Sequence, residues 1–123
     1  MVKNGILLVI SSLCLANFSF SQNKSDSSSC HPDVRIVQVF SPNADGLNDC
    51  FDIRFLKKVE KYKLLVYNRW GQLVFETKKV EDCWNGRSNN KDCPDGTYFW
   101  TLNFTFENTD EEISCNGYVT LIR

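Results

Sequence analysis

Nucleophilic catalysis of the Ser-His-Asp or Cys-His type needs an imidazole beside the nucleophile. The sequence offers one histidine, His31, next to Pro32 in a polar stretch where a solvated side chain is the expected state. Carboxylates are plentiful, with 15 Asp and Glu. A glycosidase-like pair, however, needs a cleft to face across, and no long loop is available to build one. Of all function classes, an enzyme has the least to rest on.

Ser41-Pro42-Asn43-Ala44-Asp45-Gly46-Leu47-Asn48-Asp49 is the second candidate. Asn43, Asp45, Asn48 and Asp49 offer oxygen ligands, and Gly46 permits a sharp turn. This faintly resembles a calcium loop, without an acidic first position, a terminal bidentate Glu or flanking helices. The competing and favoured reading is an Asx-turn loop, in which short polar side chains bond their own backbone. The third candidate is Asn68-Arg69-Trp70-Gly71. An exposed Trp beside an Arg could bind a partner or stack on a sugar. Equally, Trp70 could cover the end of a sheet at a hairpin corner, with Arg69 over an aromatic face. Trp84-Asn85-Gly86 and Pro94-Asp95-Gly96-Thr97 read as turns, with Trp84 as core or lid.

Strands must position these residues. Val34–Phe40, Phe51–Leu56, Tyr62–Asn68 and Gln72–Glu76 are strand candidates, the last two joined by Arg69-Trp70-Gly71 as a hairpin. Thr97–Glu107 is long and aromatic-rich. Tyr98, Trp100, Phe104 and Phe106 share one face there and read as a core stripe, with a carbohydrate-binding face as the sharper alternative. Glu112–Cys115 and Gly117–Arg123 complete the set, with Asn116-Gly117 as a turn or bulge between them. Lys57–Lys63 has room for one helical turn. About seven short strands and no 3.6-residue stripe predict an all-β chain, a single β-sandwich.

The N-terminus reads as a signal peptide over residues 1–21. Lys3 gives a positive start, Ile6 to Ala16 an apolar run, and Ser19-Phe20-Ser21 small residues at the cleavage positions. Cys14 raises a lipoprotein alternative, but Leu13 stands where a small residue is wanted. No later stretch approaches the roughly 20 apolar residues of a membrane span. The expected product is therefore a soluble exported protein with no integral membrane segment. Residues 22–33 are Ser-, Asp- and Asn-rich and read as a disordered leader, and 34–123 as the domain. A formal net charge of −1 leaves no electrostatic footprint for nucleic acid or an anionic membrane.

Cys30, Cys50, Cys83, Cys93 and Cys115 remain after cleavage. Export makes disulfides permissible. No CxxC spacing exists and one histidine is present, so a zinc site has little to build on. Cys83 and Cys93 flank a polar loop and form the expected pair, a closure contributing about 3 kcal/mol in the chain-entropy account. Cys50 and Cys115 each abut a strand and form an expected second bridge. Cys30 is left over, either free or pairing with another chain.

Together these segments resemble a known family. Phe40–Asp49 looks like its opening motif and Leu65–Glu76 its central hairpin. Trp84-Asn85-Gly86, Pro94–Phe99 and Gly117–Arg123 follow in the family's order. The resemblance is to the gliding-motility-associated C-terminal domain, the type B sorting domain of the type IX secretion system of Bacteroidota, over about Val34 to Arg123. One departure is Ala44, where the family usually has Gly; the loop tolerates alanine unless that residue needs a positive φ. The family normally follows a large passenger, and here a leader of about a dozen residues takes its place.

The resemblance implies an immunoglobulin-like sandwich that is not an enzyme and needs no cofactor. It implies passage through the periplasm, recognition by the outer-membrane type IX translocon or shuttle, and arrival at the outer cell surface or in the medium. Gly117, Tyr118, Val119, Thr120, Leu121, Ile122 and Arg123, with Asn68, Arg69, Trp70 and Gly71, are the residues expected to be recognised. Arg123 and an edge strand are the expected means of contact. The alternative functions are a stand-alone secreted binding module or small adhesin, dependent on glycan or calcium, and the remnant of a larger gene.

Overall fold

The longest strand, β8 (Gly96–Phe106), carries the alternation that builds the core. In the computed structural model, which describes residues 30–123, Tyr98, Trp100, Leu102, Phe104 and Phe106 of β8 are all buried. β4 (Val59–Tyr67) and β9 (Ile113–Leu121) flank it antiparallel, β5 (Leu73–Thr77) pairs with β4, and β2 (Val39–Phe40) runs parallel to β9. The resulting order is β2-β9-β8-β4-β5. A two-stranded ribbon of β1 (Val34–Ile36) and β3 (Ile53–Phe55) forms the opposing layer, so the chain is an all-β, sandwich-like domain. No helix of the described residues is long and apolar enough to cross a membrane.

Aromatic side chains join the layers. Phe55 from β3 meets Tyr62 and Phe104 edge-on at 5.8 and 5.0 Å between ring centroids. At the other end Phe40, Phe51, Trp84, Tyr98 and Trp100 form a continuous chain of ring contacts. Trp84 is fully buried, its Nε1 donating to Arg87 O at 3.0 Å, and its backbone bridges Phe51. Each such ring buries well over 100 Å², so this aromatic cluster dominates the hydrophobic contribution.

Several boundaries differ from the sequence expectation. Val34–Phe40 is two strands, because the chain changes layer at Val37–Gln38; Val34 and Ile36 cover the core from one side and Phe40 from the other. The two expected strands Glu112–Cys115 and Gly117–Arg123 are one, β9 at Ile113–Leu121, and Asn116-Gly117 inside it is neither turn nor break. The segment Lys57–Lys63 holds no helical turn, since β4 begins at Val59. A small ribbon of β6 (Arg87–Ser88) and β7 (Lys91–Asp92) was not foreseen. Its turn residues Asn89 and Asn90 both have positive φ, 51° and 65°, the pattern of a two-residue primed turn.

The cysteine pairing is corrected. Cys50 joins Cys83 and Cys30 joins Cys115, with Cα–Cα distances of 5.8 and 5.5 Å, while Cys93 is a buried free thiol. The Phe51–Trp84 bridge sets Cys50 beside Cys83, which a reading along the chain cannot see. With its cysteines 85 positions apart, the Cys30–Cys115 link contributes about 4–5 kcal/mol in the chain-entropy account.

That link also ties down the end of the expected leader. His31 is half-buried, its ring 5.1 Å from Phe106, and Asp33 accepts an ion pair from Lys57 Nζ at 2.9 Å. The Lys57 hydrogen bond holds the Asp33 carboxyl below its ordinary range. The expected signal peptide, and the leader as far as Ser29, lie outside the described residues.

Candidate functional site

Three of the segments singled out in the sequence converge on one end of the sandwich. The β4–β5 hairpin supplies the first. Asn68 organises its tip: Asn68 Oδ1 accepts from the backbone N–H of both Trp70 and Gln72 at 2.9 Å, and Asn68 N donates to Gln72 O at 2.9 Å. Gly71 closes the turn at a φ of +80°. Trp70 is left 74% exposed, with the Arg69 guanidinium 5.0 Å from its ring centroid. The pair combines the two readings: Arg69 lies over an aromatic face at the hairpin corner, as one expected, but the face is that of Trp70 itself, which points to solvent.

The second segment is Cys93-Pro94-Asp95-Gly96, which leads into β8. Tyr98 Oη donates to Pro94 O at 2.6 Å and holds this turn in place. Between it and the hairpin lies a shallow groove of about 180 Å³, lined by Asn68, Arg69, Trp70, Pro94, Asp95 and Thr97 among others. Cys93 also lines it; burial pushes its thiol up, only partly opposed by the nearby Arg123 charge. Burial likewise raises the Tyr98 hydroxyl.

The third segment is the end of β9. Arg123 N donates to Asp95 Oδ2 at 3.1 Å, and Arg123 Nη2 donates to Gly86 O at 2.7 Å and to Cys93 O at 3.3 Å. The guanidinium therefore clasps the turns after Trp84 and before β8, with Asp92 and Asp95 at 3.8 and 4.0 Å. Sequence reasoning offered Arg123 as a contact for a partner; in the structure its Nε and Nη2 donate within the chain. The rest of the segment divides by parity. Val119 and Leu121 are fully buried, and Gly117 lies against Trp100. Tyr118 and Ile122 are each 48% exposed, and Thr120 is half-buried.

The Asn43–Asp49 loop is built around the Asp49 carboxylate. Oδ1 accepts from Asn43 N and Ala44 N at 3.2 and 3.0 Å, and Oδ2 accepts from Gly46 N at 2.7 Å. Asp45 Oδ1 accepts from Leu47 N at 2.8 Å, and Ser41 N donates to Asn48 O at 2.7 Å. Both carboxylates thus serve backbone amides, as an Asx-turn loop requires. Among the described residues, no group of three or more His, Cys, Asp or Glu is placed to hold a metal ion.

Phe99 and Leu73, to which sequence reasoning gave no place on the surface, are also exposed. Phe99 could have been found by parity, since it falls between the core positions Tyr98 and Trp100. None of the curated proteins compared matches the chain. The model of the CHU_C type IX secretion signal domain matches residues 34–121, from the first residue of β1 to the last of β9. The match covers most of the sequence, and the chain belongs to the type IX secretion signal domain family.

Proposed function

We propose that this chain is a non-enzymatic sorting domain, directing export through the type IX system and attachment to or release from the outer surface. Membership of the secretion-signal family carries the reading, since such a domain is a sorting module rather than a catalytic one. The recognised surface, in this proposal, is the end where the Asn68–Gly71 hairpin, the Pro94–Gly96 turn and the close of β9 meet. Trp70 and Ile122 are its exposed anchors, because a few large side chains carry most of the binding energy of an interface. Gly117, Val119, Leu121 and Arg123 shape that surface from within. The partner is a component of the outer-membrane translocon or its shuttle, reached through the periplasm.

Fractionation of the native host tests this with Trp70→Ala and Ile122→Ser, which touch exposed side chains. Both variants should melt like the parent, yet accumulate in the periplasm, as the parent should in a host lacking the secretion system. Normal arrival of both at the surface or in the medium would sink this placement of the recognition surface. Normal arrival of the parent without the secretion system would sink the sorting role itself. Deleting Gly117–Arg123 is the less informative experiment, because it removes two fully buried core residues.

A further inference from the structure

The outward face of the five-stranded sheet carries a row of large side chains in register. Tyr118 of β9 pairs with Phe99 of β8, Phe99 with Tyr67 of β4, and Tyr67 with Leu73 of β5. Phe99 and Tyr118 are each 48% exposed and Leu73 47%. Neighbouring strands lie about 4.8 Å apart, so the row runs roughly 14 Å across the strands, three rings followed by an aliphatic side chain. The opposite parity of the same strands supplies the core, so these four residues are not needed to fill it.

Chemistry on either side of the row decides what would lie on it. The adjacent cross-strand pairs are Thr97 with Thr120 on one side and Thr101 with Asn116 on the other. Each offers donors and acceptors without charge. Every outward position of β8 from Thr97 to Asn103 and of β9 from Ser114 to Thr120 is uncharged, in a chain that is 24% charged. On β4 and β5 the paired outward positions include the charged Lys61, Lys63 and Glu76, and Asp110 and Glu112 share a pocket with Lys61, Lys63 and Asn103 beyond the row. A polyanion would find no cation paired across the strands with any of the three rings; Arg87 shares an open pocket with Leu73 at the aliphatic end of the row. A pyranose chain fits: its C–H faces stack on rings and its hydroxyl rim meets Thr and Asn.

We infer that this face is a binding platform for a neutral polysaccharide, with Phe99 at its centre flanked by Tyr118 and Tyr67. It differs from the carbohydrate face considered from sequence, whose residues Tyr98, Trp100, Phe104 and Phe106 are core. The platform borders the proposed sorting surface and shares Tyr118 with the segment named from sequence, but it uses neither anchor, Trp70 or Ile122, and binding by the purified chain is read without the secretion machinery.

Affinity electrophoresis of the purified full chain through gels containing laminarin, galactomannan, xylan or hydroxyethylcellulose, with alginate and heparin as polyanion comparators, tests it. At least one neutral polymer should retard the chain and the polyanions should not. Phe99→Ala and Leu73→Ser should each weaken that retardation, Phe99→Ala by about tenfold or more, while Phe99→Tyr keeps it. All three variants should melt within a few degrees of the parent, and Phe99→Ala should still be secreted. Failure of every neutral polymer to retard the chain overturns the proposal, as does retardation that Phe99→Ala leaves unchanged. Binding of the polyanions alone also overturns it. A concentration-dependent dimer that Phe99→Ala dissolves would identify the face as a self-interface instead.

Discussion

Gly117 and Trp100 are cross-strand partners, and the indole of Trp100 occupies the space where any other residue at 117 would carry its Cβ. A Cβ built on Gly117 would stand 2.6 Å from Trp100 Cζ2. Trp100 is 1% exposed and Phe51 packs against it, so the ring has nowhere to retreat. Gly117→Ala should therefore cost about 1–3 kcal/mol through overpacking, seen as a lower urea midpoint. A Gly117→Ala protein as stable as the parent would mean that the ring can move.

Ala44 is the opposite case, a side chain where the backbone favours none. Its φ is 62°, in the left-handed region, and its amide donates to Asp49. The departure noted at Ala44 under the family resemblance thus falls on a position of positive φ. Ala44→Gly should stabilise the chain by about 0.5–1 kcal/mol, since relief of the strain exceeds the added entropy of the unfolded chain. Thermal melts of the two proteins at one pH check this.

The pattern of β8 was legible because alternation is local: Tyr98, Trp100, Phe104 and Phe106 had to share a face, and the aromatic partition followed. The turn assigned to Asn116-Gly117 failed because an Asn-Gly pair is a local turn signal, whereas Trp100, sixteen or more residues away in sequence, fills the space above that glycine and keeps the strand straight. The disulfides failed for a related reason. Proximity along the chain favoured Cys83 with Cys93, but pairing follows which segments the sheets bring together. The segments Asn68–Gly71 and Gly117–Arg123 could be named from their motifs; that they meet beside the Pro94–Gly96 turn could not.

Arg123 closes that meeting point. Its guanidinium is 28% exposed and donates to two backbone carbonyls in different turns, Gly86 O and Cys93 O. Arg123→Ala should cost about 1–2 kcal/mol, allowing for the partial solvation of the group. Arg123→Lys should recover only part of it, because an ammonium cannot fork between the two carbonyls as a planar guanidinium does. Equal denaturant midpoints for the Lys variant and the parent would show that charge alone suffices.

Peptide mapping of the oxidised protein under non-reducing conditions should recover Cys30 linked to Cys115 and Cys50 linked to Cys83. Cys93 should resist alkylation in the folded protein and react on unfolding without reductant, because its thiol is buried and held protonated. A peptide linking Cys83 to Cys93 would contradict this arrangement.

Alkaline pH should destabilise the domain. Burial, as the largest cause, raises the Tyr62 and Tyr98 hydroxyls and the Cys93 thiol above their ordinary values of 10.0, 10.0 and 9.0. For Tyr62 the Asp52 and Asp82 carboxylates add to the shift. In each case the folded pKa exceeds the unfolded one, so the unfolded state releases its proton first as the pH rises. The stability these groups contribute is complete below the unfolded values and is lost as the pH climbs from there through the folded ones. Urea midpoints should thus be flat between pH 7 and pH 8 and fall above about pH 9, where Cys and Tyr begin to ionise in the unfolded chain. Tyr62→Phe keeps the ring that packs edge-on against Phe55 but has no proton to lose. It should leave the neutral-pH stability within about 1 kcal/mol of the parent and make the alkaline decline shallower. An unchanged alkaline slope in Tyr62→Phe would mean that the Tyr62 hydroxyl contributes nothing to it.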